Sequence, residues 1–199
     1  MQPSVSLRER KRTDTFRSIH DAAADLVLDH GLARVTVDEI AERAGVSQRT
    51  FFNYFPTKED AVLGVHAPER TERALAAFRD DSDRDLFSRV VELFAQTMRS
   101  SIVPSDDPSR RRRLTTEHPE LKHRFMIRVA DTERLAMQVI EEHPEALPNT
   151  PEAARVLVYL AGAVVRFTFA TTPGAISGND DETLDRAIAT FREVLRSAL

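Results

Sequence analysis

Gln48, Arg49, Thr50 and Asn53 lie in one short segment, and Tyr54 and Lys58 follow closely. Their chemistry is that of recognition rather than catalysis. A primary amide matches the paired donor and acceptor on the major-groove edge of adenine, and a guanidinium matches the two acceptors of guanine. A hydroxyl serves phosphate oxygens.

Side chains of this kind need a scaffold, and the surrounding residues supply one. Thr36-Val-Asp-Glu is a capping box, in which the threonine hydroxyl accepts the amide three residues on and Glu39 reaches back. It predicts a short helix ending at Gly45, which supplies the positive φ that a tight turn needs. Ser47 caps a second short helix, and Pro56 ends it. Two short helices joined this closely cross steeply, with small Ala41 at the approach and Ile40, Ala44, Val46 and Phe51 filling the space between. Gln48, Arg49, Thr50 and Asn53 are left on the outward face.

The run from Thr36 to Lys58, with the Arg-rich segment before it ending at Gly31, resembles the N-terminal DNA-binding domain of the TetR family of bacterial regulators over about residues 10–64. The resemblance implies an all-α homodimer that binds double-stranded operator DNA, with a recognition helix from each subunit in the major groove of a half-site. Carried over by position, Gln48, Arg49, Thr50 and Asn53 face the bases, while Tyr54, Lys58 and the Thr36 amide and hydroxyl face phosphates. The basic residues Arg8, Arg10, Lys11, Arg12 and Arg17 then form an arm or first turn along the DNA backbone. Phe52 departs from the pattern. Many members carry tyrosine there, so a phosphate bond is lost, and Phe52 either touches a thymine methyl or packs in the core.

The wider chain has 199 residues, with 28 Lys and Arg against 32 Asp and Glu, for a formal charge of −4. That balance argues against a protein that coats nucleic acid indiscriminately, but not against one local basic surface. Cysteine is absent, which excludes disulfides, thiolate nucleophiles and cysteine-based metal sites. No signal peptide and no uninterrupted apolar run of membrane-spanning length is read, so the expectation is a soluble cytoplasmic protein. No cofactor is expected.

Gly is scarce and Pro sits mostly at boundaries, which predicts an all-α fold of about nine helices. They divide into a three-helix DNA-binding domain over 7–58 and a helical ligand-binding and dimerisation domain over 59–199. A helix over 58–79, with a kink or a new start at Pro68–Glu69, is the expected lever between them. The nearly apolar helix 152–171 and the stripe Leu184, Ile188, Phe191 and Leu195 are expected to pair with their mates in a homodimer, as the last two helices do in the family.

Phe87, Val91, Phe94 and Met98 form one candidate effector wall, with Phe125, Met126 and Val129 opposite and Val165 and Phe169 from the later helix. Arg166 stands inside that apolar helix and needs a partner, either a carboxylate across a dimer seam or an acidic ligand. The run Arg110–Arg113 is either a solvated helix face or an anion site. Together with residues 111–135, the segment 49–62 is similar to an actinobacterial branch that includes the mycofactocin regulator, which implies a hydrophobic or acidic effector of acyl-CoA type. His118 and His123 are five apart, the wrong interval for a metal on one helical face. No nucleophile elbow is present. The sequence therefore reads as a ligand-responsive repressor; an all-α enzyme with an incidental hairpin, an architectural binder and an activator are the alternatives.

Overall fold

The computed structural model describes residues 7–79, 84–103, 107–144, 150–172 and 181–198. Within them are ten helices: α1 (Leu7–His30), α2 (Val37–Arg43), α3 (Gln48–Tyr54), α4 (Lys58–Leu63), α5 (Glu72–Arg79), α6 (Leu86–Ser100), α7 (Pro108–Glu117), α8 (Glu120–Glu141), α9 (Pro151–Thr171) and α10 (Asp181–Ala198). Extended pairing among the described residues is limited to one antiparallel bridge between Val65 and Ile102. The all-α expectation holds. The sequence also predicts a charged turn at 80–85 and loops at 104–108, 144–151 and 173–181, and these lie mostly outside the described residues.

The expected lever over 58–79 is two helices, α4 and α5, and the break starts earlier than the Pro68–Glu69 position expected for a kink or new start. α4 stops at Gly64, whose φ of 63° and ψ of 41° put it in the left-handed region, and its N–H bonds back to Ala61 O at 3.0 Å. The chain then runs irregularly until α5 begins at Glu72. The break therefore precedes Pro68, and its cause is a glycine cap rather than a proline kink.

The described chain forms two compact units, one of residues up to His66 with Ile102–Phe125, the other of Ala67–Ser101 with Met126 onward. α8 contributes its first residues to the former and the rest to the latter. In the first unit α1 packs against α2, α4 and α7. Ile19, Ala23, Val27, Ile40, Phe51, Phe55, Ala61 and Leu63 are almost wholly buried there. Phe16 is the aromatic hub, edge-on to Tyr54 at 4.7 Å and to Phe55 at 5.3 Å between ring centroids.

Polar groups lock the same unit. Asp60 is fully buried and is paired with Arg124, with the Thr57 hydroxyl donating to it at 2.9 Å. Arg110 of α7 pairs with Asp21 and, at 3.3 Å, with Asp25, both on α1. Arg111, its neighbour, is buried. It donates from Nε to Leu63 O at 2.9 Å and from Nη2 to Val103 O at 3.4 Å. Burial and then the neighbouring Arg110 charge pull its guanidinium down to about 10. Half of the Arg110–Arg113 run is thus an internal brace, and only Arg112 and Arg113 are exposed.

In the second unit α6 packs against α5 and α9, and α9 against α10. Asp85 caps α6 by accepting the Ser88 amide at 3.0 Å and also pairs with Arg192 of α10. Arg99 bridges Glu92 at 3.8 Å and Asp181 at 3.2 Å. Residues 152–171 are long and apolar enough to cross a membrane, with mean hydropathy 1.5. Ala154, Val158, Ala161, Val164 and Val165 of that stretch are buried in the unit, while Val156, Tyr159 and Phe167 are exposed.

Candidate nucleic-acid interface

α2 and α3 are joined by a turn in which Gly45 takes φ +68° and Val46 N–H donates to Ala41 O at 2.9 Å. Ile40, Ala41 and Phe51 close the space between the helices, while Ala44 and Val46 are only half-buried. Ser47 caps α3 by accepting the Thr50 amide at 3.1 Å, and the Ser47 and Thr50 hydroxyls lie 2.8 Å apart. With Phe51 and Phe55 turned inward, Gln48, Arg49, Phe52 and Asn53 are exposed on the other side of α3.

Tyr54 and Asn53 form one wall of an open groove of about 910 Å³, and Arg8, Lys11, Arg12 and Thr15 of α1 form the other. The basic N-terminal residues at Arg8 and beyond are helical from Leu7, so they are the first turns of α1 rather than an extended arm. Arg12 also lies over the Phe16 ring, 5.5 Å from its centroid. Three cations at helical spacing thereby stand beside the end of α3. Thr15 belongs to this wall too, and sequence reasoning missed it. Its spacing of four from Lys11 is the signal that could have shown it.

Two residues are held differently from the expectation. The Thr36 amide and hydroxyl both donate to Glu39 Oε2 at 2.8 Å, which completes the capping box. The bond from the Thr36 backbone, followed by that from its hydroxyl, holds the Glu39 carboxyl below its usual range. Both donors offered to a phosphate are therefore occupied by a carboxylate, and a phosphate at this N-terminus has to displace it. Lys58 Nζ donates to Leu32 O at 2.8 Å and Val35 O at 2.9 Å. Two of its three N–H groups thus fasten the turn before α2, and its charge stays at that turn. Phe52 is 51% exposed, so it is not core.

In the second unit Val91, Phe94, Met98, Val129 and Val165 are almost fully buried, Phe87, Arg166 and Phe169 are half-buried, and Met126 is exposed. Phe125 belongs to the first unit. Arg166 has a carboxylate partner on its own chain rather than across a dimer seam, Glu133 Oε1 at 3.2 Å. Gly162 makes that pairing fit, because a Cβ there would lie 2.9 Å from Glu133 Oε1. Among the described residues no three His, Asp or Glu side chains converge as a metal site.

Two capped helices, a glycine turn and an outward face of amide and guanidinium groups beside a cationic groove make this a helix-turn-helix DNA-binding module. Residues 19–64 match the sequence model of the tetR family of bacterial regulatory proteins. The likeness to that family thus falls on the residues of this helix-turn-helix.

The HTH-type transcriptional regulator EthR of Mycobacterium tuberculosis is 32% identical over 119 residues, 57% of this chain and 55% of that protein. The HTH-type regulator YdeS of Bacillus subtilis is 34% identical over 89 residues, 44% of this chain and 45% of that one. The mycofactocin biosynthesis transcriptional regulator MftR of M. tuberculosis is 41% identical over 62 residues, 31% of each chain. The chain spans about half the length of the curated relatives it first matches. Among solved structures, NalD, the secondary repressor of the MexAB-OprM multidrug efflux pump in Pseudomonas aeruginosa, aligns over 88% of this chain and 96% of that one. The identity is 17% and the TM-score 0.46.

Proposed function

We propose that this protein is a cytoplasmic, ligand-responsive transcriptional regulator rather than an enzyme. It binds a palindromic operator as a homodimer and represses until an effector releases it. The observation that carries the reading is the exposed face of α3, with Gln48, Arg49 and Asn53 beside the α1 cations. Gln48 and Asn53 suit adenine and Arg49 suits guanine. Arg8, Lys11, Arg12 and Tyr54 address phosphates. Residues 7–58 are the DNA-binding part and 59–199 the sensing and dimerising part.

An apolar face on α9 and α10 supports the dimer. Val156, Tyr159 and Phe167 lie on one side of α9 and are exposed, as are Val194 and Leu195 of α10. Phe167 and Phe191 join the two helices edge to face at 5.7 Å, so the exposed surfaces are continuous. A two-fold axis through that face covers it with its own copy. The effector is small and hydrophobic or acidic, of acyl-CoA type in one form, and lodges among Val91, Phe94, Met98, Val129 and Val165, with Arg166 for an acidic group. Those apolar side chains are almost wholly buried. Release follows if the effector binds two conformers of the protein with different affinities.

The test is a gel shift on DNA flanking the protein's own gene at two salt concentrations, with wild type and Asn53→Ala. Tight, sequence-selective binding lost in the variant supports the regulator. Equal, weak binding of both proteins to that DNA and to random DNA overturns it.

A further inference from the structure

We propose that Phe52 is a specificity-determining residue that reads the C5-methyl group of a pyrimidine in the major groove. The inference rests on the DNA-binding reading above and deepens it. Isolated exposed apolar side chains are ordinary on protein surfaces, so position has to carry the argument. Phe52 stands on the exposed side of α3 with Gln48 four residues before it, Arg49 three before and Asn53 next to it. Among the described residues of the first unit, the large apolar side chains exposed to this degree are Phe52 and Leu7.

The ring is held from behind. Phe51 is fully buried, and Phe52 meets it edge to face at 5.4 Å with an interplanar angle of 88°. A phenyl group so placed has no hydrogen bond to give a base edge or a phosphate. Of the groups that base pairs show in the major groove, the apolar one is the C5-methyl of thymine, and 5-methylcytosine presents the same group. The other groups there are hydrogen-bond donors and acceptors, which Phe52 can only desolvate, and bare C–H edges such as cytosine C5–H, which offer it less apolar area than a methyl. The residue therefore favours a methylated pyrimidine by attraction and disfavours the alternatives by leaving their polar atoms unpaired.

The probe is a duplex recovered from random-sequence DNA by repeated selection on the full-length protein. Each thymine is replaced in turn by deoxyuridine, and each cytosine by 5-methylcytosine, and affinities are measured for wild type, Phe52→Ala and Phe52→Leu. Removing one methyl is expected to weaken wild type about fourfold, the scale of one buried methyl group. Phe52→Ala is expected to bind thymine and deoxyuridine duplexes alike, and Phe52→Leu to keep part of the difference. A methyl effect at cytosine rather than thymine identifies the modified base as the source. Methyl changes that leave wild type unaffected, or that affect wild type and Phe52→Ala equally, overturn the proposal. Failure to recover any preferred duplex overturns the DNA-binding reading itself.

Discussion

Gly64 lies against the face of His20 so closely that a Cβ built on it would be 2.9 Å from both Cε1 and Nδ1 of the ring. The same glycine caps α4 at φ +63°, and Val103 N–H donates to its carbonyl at 2.8 Å. Conformation and space both demand glycine here. Gly64→Ala is expected to destabilise the protein by roughly 2–4 kcal/mol, from left-handed strain together with overpacking. Urea unfolding measures it, and a loss below about 1 kcal/mol contradicts the geometry.

His20 is itself a source of pH dependence. Burial first, then the charge of Arg111, lowers its pKa from 6.5 to about 4, against the bond between Nδ1 and Ala61 O. Between those values the unfolded chain takes up a proton that the native state refuses, so stability falls as pH drops through that window. The loss from this one group is about 3 kcal/mol. Above pH 6.5 it contributes no slope. Chemical denaturation at about pH 7, 5.5 and 4.5 should show the decline, and His20→Leu should flatten it even if the variant is less stable throughout.

Arg124 and Asp60 predict an asymmetry. Asp60 is fully buried, while the Arg124 side chain is 24% exposed. Arg124→Met strands a buried carboxylate and should cost about 3–5 kcal/mol. Arg124→Met combined with Asp60→Asn should recover part of that loss in a double-mutant cycle. Simple additivity of the two changes would mean that the pair is not coupled.

Lys11 and Arg8 should act on affinity without acting on sequence choice. Each replacement by alanine is expected to weaken binding to every DNA and to lower the slope of log affinity against log salt by about one. Asn53→Ala should leave the slope unchanged and erode the preference among sequences. A titration over several salt concentrations separates the two, and equal slopes for wild type and Lys11→Ala would remove α1 from the interface.

Tyr159 on α9 tests the proposed dimer. It is 54% exposed in the single chain, and in a two-fold pairing of α9 and α10 it would be covered. Tyr159→Glu is expected to convert a dimer to monomer in sedimentation while preserving helicity. An unchanged sedimentation coefficient would place the interface elsewhere.

The helix-turn-helix was legible because its determinants are local. Thr36 and Glu39 are three residues apart and close a capping box, Gly45 marks the turn, and the inward positions of Phe51 and Phe55 expose their neighbours. Relations across long stretches of chain were not legible. Arg110 meets Asp21 and Asp25, and Arg166 meets Glu133, through packing that no local spacing encodes. Lys58 shows the intermediate case. Its place at the start of α4 follows from the local capping pattern, but its bonds to Leu32 O and Val35 O depend on where α4 docks on the turn. The stop at Gly64, ahead of Pro68, was missed because a glycine inside an apolar run is commonly tolerated in a helix, and its capping role depends on the neighbouring carbonyls.

The glycine turn between α2 and α3 has an evolutionary consequence. Gly45 holds φ +68°, but a Cβ placed on it would have no heavy atom within 4 Å, unlike one at Gly64. Backbone handedness alone restricts it, and asparagine tolerates that handedness better than other residues. Among drifting descendants of this chain, position 45 can exchange glycine for asparagine at modest expense, whereas position 64 stays fixed.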